Sequence, residues 1–215
     1  MDKALITMYA GGCEPLRSVS LPTVDRYAAA HGYEVIEATP VNGLPASWAR
    51  VPALMQALRR YELAAWIDAD AVFLDGAPDL ASCLPATAFQ GFCHHPWLEF
   101  NVNAWLWVVR AGENAAEFLR RVWARRLRPK AQDQPWELSA IHDVLRNDPE
   151  ILSGTAVLTD WSESTFGREE VERYAKHCGY PHGSYDTRAG ALEAVLRDGD
   201  LRQWNRALAL PKEPA

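Results

Sequence analysis

Residues 61–75 have the sequence Tyr-Glu-Leu-Ala-Ala-Trp-Ile-Asp-Ala-Asp-Ala-Val-Phe-Leu-Asp. The apolar run from Leu63 to Ile67 predicts a buried strand, and Asp68 and Asp70 follow it with Ala69 between them. In extended chain alternate side chains point the same way, so we expect both carboxylates on one side. Two like charges beside an apolar core need a compensating cation. A divalent metal with oxygen ligands, and with open positions for phosphate, would supply it.

Strands and helices alternate up to this stretch. The apolar patterns predict strands at residues 3–9, 33–38 and 63–67, and helices at residues 19–30 and 47–61. Gly32 is expected to end the first helix, and Pro52 is tolerated in the first turn of the second. This order predicts an α/β fold, with a mostly parallel central sheet flanked by helices.

Ligands of such sheets bind beyond the carboxyl ends of the strands. Asp68 and Asp70 lie at one of these ends, and Thr7 and Tyr9 lie at another. The sequence therefore predicts a functional site at this edge of the sheet.

The alternation is looser in the second half of the chain. The patterns predict strands at 88–93, 103–109 and 156–158, and helices at 113–127, 136–145, 169–177 and 190–196. With no internal repeat or linker, the 215 residues are expected to form one domain.

Composition excludes several classes of protein. A net charge of −6 argues against nucleic-acid binding, and no apolar stretch reaches the roughly 18–20 residues that a membrane span needs. Four widely spaced cysteines and no signal peptide predict a cytoplasmic protein. Of nine tryptophans, six near polar candidates could stack on sugar rings: Trp48, Trp97, Trp105, Trp107, Trp136 and Trp161.

Residues 47–54, Ser-Trp-Ala-Arg-Val-Pro-Ala-Leu, together with residues 66–75 resemble the GT-A-fold, DxD-motif glycosyltransferases. The likeness is greatest to the galactosyl-, mannosyl- and xylosyltransferase group (GMA12/MNN10-like). In that group a helix with a basic residue leads into a strand ending in Trp-x-Asp-x-Asp. Three later segments, residues 100–110, 132–134 and 180–184, resemble further motifs of the group in the same order.

The resemblance implies roles on the donor side. Asp70 would bind Mn²⁺ or Mg²⁺ directly, and Asp68 would help to hold the metal and the ribose of a UDP- or GDP-sugar. Ala69 lies between them in the donor site. At the end of the first strand, Thr7 and Tyr9 would contact the nucleotide base, although both could be ordinary strand residues.

Other residues of the donor site come from separate segments. Arg50 matches a basic residue of the group near the donor. The resemblance makes His182 the third metal ligand, with His177 as the competitor, because imidazole suits Mn²⁺ beside carboxylates. Arg188 could meet the diphosphate as charge builds on the leaving group.

Substrate contacts are expected from the middle of the chain. Asn103 aligns with the Asn of the group's Asn-x-Gly strand, so Trp105 stands where Gly is usual and would reshape the sugar pocket. His95 and Trp97 belong to a loop that is expected to line the substrate site. A zinc site at His94 and His95 is not favoured, because no second pair of ligands has suitable spacing.

Asp133 and Gln134 resemble the acceptor-side motif of the group and are the candidate catalytic residues. A carboxylate there could stabilise positive charge that develops on the sugar. The alternative is that Asp133 caps the helix that follows, since Asp is a strong N-cap.

The function predicted from these residues is sugar transfer from a nucleotide sugar to a glycan or small-molecule acceptor, with retention of configuration implied by the resemblance. Residues 1–110 would bind the donor, and residues 111–215 would form the acceptor side. Two alternatives stay open: a non-catalytic member that binds nucleotide sugar or glycan, and a haloacid-dehalogenase-type phosphohydrolase, whose motif also contains Asp-x-Asp.

Overall fold

The computed structural model describes residues 1–95, 98–127, 136–162 and 175–177. The described residues form eight strands: β1 (Lys3–Thr7), β2 (Tyr33–Glu37), β3 (Leu63–Ile67), β4 (Ala71–Phe73), β5 (Gln90–His94), β6 (Val102–Arg110), β7 (Thr155–Ser162) and β8 (Ala175–His177). They also form six helices: α1 (Arg17–His31), α2 (Arg50–Ala57), α3 (Leu80–Cys83), α4 (Glu113–Ala124), α5 (Trp136–Asn147) and α6 (Pro149–Ser153). Short 3-10 turns occur at Glu14–Leu16, Ala46–Ala49 and Glu99–Asn101.

Six strands form the central sheet in the order β2-β1-β3-β6-β5-β7. The pairs β2/β1, β1/β3 and β5/β7 are parallel, and β6 is antiparallel to both of its neighbours. The predicted mostly parallel α/β sheet is confirmed. Because β7 pairs with β5, the second half of the chain completes the sheet begun by the first.

The sheet is buried on both faces, as alternation along β1 shows. Ala4 and Ile6 belong to a core shared with α2, α4 and α5, whereas Leu5 belongs to a second core shared with α1, α3 and β4. Because helices cover both faces of such a sheet, ligands bind at the carboxyl ends of its strands.

The predicted helices differ in extent from the observed ones, and the difference is largest for the second helix. The helix expected over residues 47–61 begins as a 3-10 turn and becomes α-helical only over Arg50–Ala57. This start places Pro52 at the third helical residue, where a backbone N–H would lack an intrahelical partner in any case. Helix α1 ends at Gly32, as predicted, with the glycine in the left-handed conformation at φ +71°.

A second, two-stranded sheet corrects the prediction for residues 175–177. These residues were expected to end a helix, but they form β8, antiparallel to β4, with His177 opposite Ala71. Pairing with a strand about a hundred residues earlier overrides the local helical tendency. Residues 169–174 of that predicted helix, and the helix predicted at 190–196, lie outside the described residues.

Candidate functional site

The Asp-Ala-Asp stretch lies at the carboxyl end of β3, beside the centre of the sheet. Asp68 follows the strand directly, residues 69 and 70 form a turn, and β4 begins at Ala71. The N–H of Ala71 donates to the carbonyl of Asp68 at 3.1 Å, which closes this turn. The expectation of an extended chain through Asp68 and Asp70 is therefore wrong, because residues 69 and 70 form a turn.

The Asp68 carboxylate is held by two side chains from its own side of the sheet. The indole N–H of Trp66 donates to Oδ1 at 2.5 Å. The Nη2 of Arg50 donates to Oδ1 at 3.0 Å and to Oδ2 at 3.3 Å. The backbone N–H of Asp68 donates to the carbonyl of Trp105 at 2.9 Å, which ties the residue to β6. These contacts give the carboxylate a fixed orientation.

Arg50 is the cation that compensates this carboxylate. It is 7% exposed, its Nη1 donates to the carbonyl of Ala104 at 2.7 Å, and the same nitrogen lies 3.3 Å from Oε1 of Glu137. Burial lowers the pKa of Arg50, but the charges of Asp68, Glu137 and Asp70 outweigh it and raise that pKa above its ordinary value. The arginine is therefore a permanent positive charge beneath the Asp-Ala-Asp turn.

Sequence reasoning missed two members of this network. Trp66 was predicted as part of the buried strand and of the Trp-x-Asp-x-Asp motif but was given no role, although it lies two residues before the acid that its N–H binds. Glu137 has the position of a helix-dipole acid in the first turn of α5, a place normally exposed to water, yet it is 2% exposed. The apolar residues that follow Glu137 were the available signal that this turn is buried.

The carboxyl end of β1 is connected to the same turn. The hydroxyl of Tyr9 donates to Ser20 Oγ at 3.2 Å, and Ser20 donates to the carbonyl of Ala71 at 2.6 Å. Both Thr7 and Tyr9 are buried, and burial raises the pKa of the Tyr9 phenol. Tyr9 is thus connected to the Asp-Ala-Asp turn through Ser20, whereas Thr7 pairs with Glu37 of β2. The contact of both residues with a nucleotide stays a prediction.

β6 has an irregular register next to this site. Phe92 of β5 pairs with Trp107, but the next residue, Cys93, pairs with Asn103, so β6 contains extra residues at this point. The bulge lies where Asp68 bonds to Trp105, and such irregularities bend a strand and redirect side chains.

The substrate residues predicted on this stretch occupy different environments. Asn103 is half-buried, and its Oδ1 accepts from the N–H of Trp105 at 3.2 Å. Trp105 is fully buried in the second core, so the structure gives it a packing role. His95 is buried, and its backbone N–H donates to the carbonyl of Asn101 at 2.9 Å. Their predicted contacts with substrate stay predictions.

The tryptophans expected to stack on sugars are mostly part of the core. Four of them are at most 2% exposed: Trp48, Trp105, Trp107 and Trp161. A side chain packed on both faces offers no ring to a sugar, so these four do not form an open stacking surface in this structure. Trp97 and the side chain of Trp136 lie outside the described residues.

Several predicted site residues lie outside the described part of the chain: Asp133, Gln134, His182 and Arg188. Their roles stay predictions. The competing histidine, His177, is placed by its backbone alone, opposite Ala71 and therefore one residue from Asp70 in register.

The described residues fit a divalent cation in chemistry but do not complete its site. Within residues 1–95, 98–127, 136–162 and 175–177, no three His, Cys, Asp or Glu side chains form a cluster able to hold a metal. Asp70 is half-buried at the turn and supplies the carboxylate oxygen that Mg²⁺ and Mn²⁺ prefer. The resemblance assigns direct metal binding to Asp70, whereas the Asp68 carboxylate is bound by Arg50 and Trp66.

A groove of about 550 Å³ lies between β2 and α2. Its lining runs from Glu34 to Val41 on one side and includes Ala49 and Pro52 on the other, but not the Asp-Ala-Asp turn. Just after the end of β2, the backbone N–H of Ala38 donates to the carbonyl of Thr7 at 2.8 Å. The groove therefore meets the predicted donor site only at the end of β1.

None of the helices in the described part of the chain has both the length and the apolar composition needed to cross a bilayer. The three described cysteines, Cys13, Cys83 and Cys93, form no disulfide with one another.

One segment of the chain matches a known protein family. Residues 22–84, which include α1, α2, β3 and the Asp-Ala-Asp turn, match the model of the galactosyl transferase GMA12/MNN10 family. The predicted resemblance is thus confirmed over this segment. No curated protein matches the chain significantly.

Solved structures match over more of the chain. A glycosyltransferase involved in glycosylation of the major capsid of PBCV-1 has a TM-score of 0.70 at 18% identity, covering 91% of this chain and all of that one. The catalytic domain of Drosophila β1,4-galactosyltransferase 7, in complex with xylobiose, has a TM-score of 0.50 at 12% identity, covering 84% of this chain and 72% of that one. The apo-form glycosyltransferase GlyE of Streptococcus pneumoniae TIGR4 has a TM-score of 0.50 at 7% identity, covering 73% of this chain and 45% of that one.

The chain therefore has the GT-A fold of glycosyltransferases, and its match to the galactosyl transferase GMA12/MNN10 family over residues 22–84 supports a nucleotide-sugar-dependent transferase.

Proposed function

We propose that this protein is a metal-dependent glycosyltransferase that moves a hexosyl or pentosyl group from a UDP- or GDP-sugar to a glycan or small-molecule acceptor, with retention of configuration. The observation that carries the proposal is the Asp-Ala-Asp turn at the carboxyl end of β3, with Asp68 fixed by Arg50 and Trp66. Residues 1–110 would bind the donor, and residues 111–215 would form the acceptor side. A cytoplasmic location is part of the same proposal.

The two acids of this short turn are proposed to have different roles, because the Asp68 carboxylate is held in a fixed orientation. Asp68 is paired with a buried guanidinium and is oriented by three hydrogen bonds, so it suits a fixed contact such as a ribose hydroxyl. Asp70 would hold Mn²⁺ or Mg²⁺ together with one histidine. When bound, the cation would neutralise the diphosphate leaving group.

The remaining roles come from the sequence. Asp133 and Gln134 would face the transferred sugar, and Arg188 would contact the diphosphate. His182 is proposed as the histidine ligand from the resemblance. His177 is a stronger competitor than the sequence indicated, since β8 lies directly beside the turn.

The experiment is thermal unfolding with UDP or GDP, each with Mn²⁺ or with EDTA. At a hundred times the dissociation constant, a ligand that binds only the folded state stabilises it by about 2.7 kcal/mol. We expect a stabilisation that needs both nucleotide and metal and that is lost in Asp70→Asn. Asp75→Asn, an exposed acid on the following turn, is the matched control and should behave as the wild type.

The same assay separates the two histidines. Loss of the metal-dependent shift in His182→Ala alone supports the original choice, and loss in His177→Ala alone supports the competitor. If neither nucleotide stabilises the wild type with metal, the donor site is refuted.

A non-catalytic nucleotide-sugar-binding protein is the second candidate, favoured by one observation. Trp105 stands where the group has a glycine and is fully buried in the second core; a side chain this large at that position would reduce the space for a donor sugar. Release of UDP or GDP from the donor distinguishes the two: binding without release, with or without acceptor, would favour the binding protein. The haloacid-dehalogenase alternative has no support from the fold.

A further inference from the structure

Glu137 is a buried acid to which neither the sequence nor the comparisons assign a role. It lies in the first turn of α5, it is 2% exposed, and its Oε1 is 3.3 Å from Nη1 of Arg50. Its second oxygen, Oε2, accepts no hydrogen bond from the described residues. Burying a carboxylate costs free energy unless the charge is paired with a cation and hydrogen-bonded.

The carboxylate is one end of a chain of charges through the first core. Glu137 contacts Nη1 of Arg50, and Nη2 of the same guanidinium contacts Asp68. A guanidinium is planar and has its donors in a fixed arrangement, so a contact at one nitrogen constrains where the other nitrogens point. Glu137 therefore helps to decide the position of the Asp68 carboxylate.

The net charge of these three residues is also negative. Glu137, Arg50 and Asp68 together carry a net charge of −1, to which Asp70 adds another. Replacing Glu137 by a neutral residue would make the three-residue group neutral. It would also leave Arg50 with Asp68 as its remaining anion in this group, which draws Asp68 more firmly to the arginine.

Glu137 also connects the two halves of the proposed site along the chain. It follows Gln134 by three residues in the sequence, and it contacts the arginine that binds Asp68. A buried ionic contact in this place is not explained by stability alone, since apolar replacements of buried ion pairs are often neutral or stabilising.

We propose that Glu137 is a positioning residue of the donor site: through Arg50 it fixes the Asp68 carboxylate and keeps the Asp-Ala-Asp turn negative enough to bind a divalent cation with the donor. This inference rests on the proposed function. Glu137 would control the affinity for the metal without touching either the metal or the sugar.

The experiment compares Glu137→Gln, which keeps the shape and removes the charge, with Glu137→Asp, which keeps the charge with a shorter reach. Glu117→Gln, on the exposed face of α4, is the matched control. Mn²⁺ is titrated in two ways: by thermal unfolding with the nucleotide that stabilises the wild type, and by donor turnover.

For Glu137→Gln we expect the Mn²⁺ midpoint to rise about tenfold in both titrations, the lower end of the usual effect of changing a residue next to a metal ligand. kcat at saturating Mn²⁺ should stay within about threefold of the wild type, and Glu137→Asp should fall between them. A structural role alone would change the melting temperature without changing the metal midpoint.

Two results would overturn the inference: a Mn²⁺ midpoint for Glu137→Gln equal to that of Glu117→Gln, or a loss of kcat that excess Mn²⁺ does not restore. If Glu137→Gln does not fold, the Glu137→Asp midpoint decides, since an unchanged value refutes the positioning role. A wild type without any metal-dependent nucleotide shift is a different outcome, and it refutes the proposed function itself.

Discussion

Arg50→Met removes the single cation shared by Asp68 and Glu137 and keeps most of the apolar volume of the side chain. Glu137 is 2% exposed, and the Asp68 side chain is 22% exposed, so most of the cost falls on Glu137. Removing one partner of a buried ion pair costs about 3–5 kcal/mol, because a charge stays buried without compensation. At about 2–4 °C per kcal/mol for a domain of this size, the melting temperature should fall by roughly 6–20 °C.

The assay is urea unfolding at pH 7, with wild type, Arg50→Met, Glu137→Gln and the double variant as a double-mutant cycle. If the cost comes from the uncompensated acid, adding Glu137→Gln to Arg50→Met should restore at least about half of it. The reasoning is refuted if Arg50→Met costs less than about 1 kcal/mol, the scale of a single lost hydrogen bond. It is also refuted if the double variant is no more stable than Arg50→Met.

Two further predictions concern pH and stability. Asp79 caps α3 and binds Lys3 and Tyr33; burial raises its pKa, but these hydrogen bonds outweigh it and lower that pKa below 3.8. Its stabilisation is therefore present above pH 3.8 and lost as the pH falls through the lowered pKa, so Asp79→Asn should destabilise the protein more at pH 6 than at pH 2.5; an equal difference at both pH values would contradict this. His142 is fully buried, and burial lowers its pKa below 6.5. The neutral ring is the one that fits, so stability should fall as the pH drops below 6.5, and His142→Gln should show a smaller loss between pH 7.5 and 5.5 by urea unfolding.

The elements that sequence alone predicted well are those with strong local signals. The five apolar residues Leu63–Ile67 gave β3 its correct bounds, and Gly32 marked the end of α1. The β4/β8 pair had no such signal, since Ala71–Phe73 is only three residues long and its partner lies about a hundred residues away. Long-range pairing of short strands depends on where the rest of the chain places them.

The candidate site shows the same division. The positions of Asp68 and Asp70 after a buried strand were correct, because the apolar run and the acids are adjacent in sequence. The extended conformation expected between them was wrong, because a hydrogen bond from Ala71 to Asp68 closes a turn at residues 69 and 70. The burial of Glu137 had only a weak sequence signal in the apolar residues that follow it, since it depends on α5 packing in the first core beside Arg50.

The contacts of Asp68 bear on the prediction that both Asp68 and Asp70 bind a metal. Sequence reasoning treated both carboxylates as uncompensated and assigned a divalent cation to the pair. In the structure the Asp68 carboxylate is already bound by Arg50 and Trp66, so its charge alone does not require an external cation. Asp70, which the resemblance places on the metal, is the acid proposed as the direct ligand. It follows that Asp68→Asn should reduce metal affinity less than Asp70→Asn, and equal effects would show that Arg50 releases Asp68 when metal and donor bind.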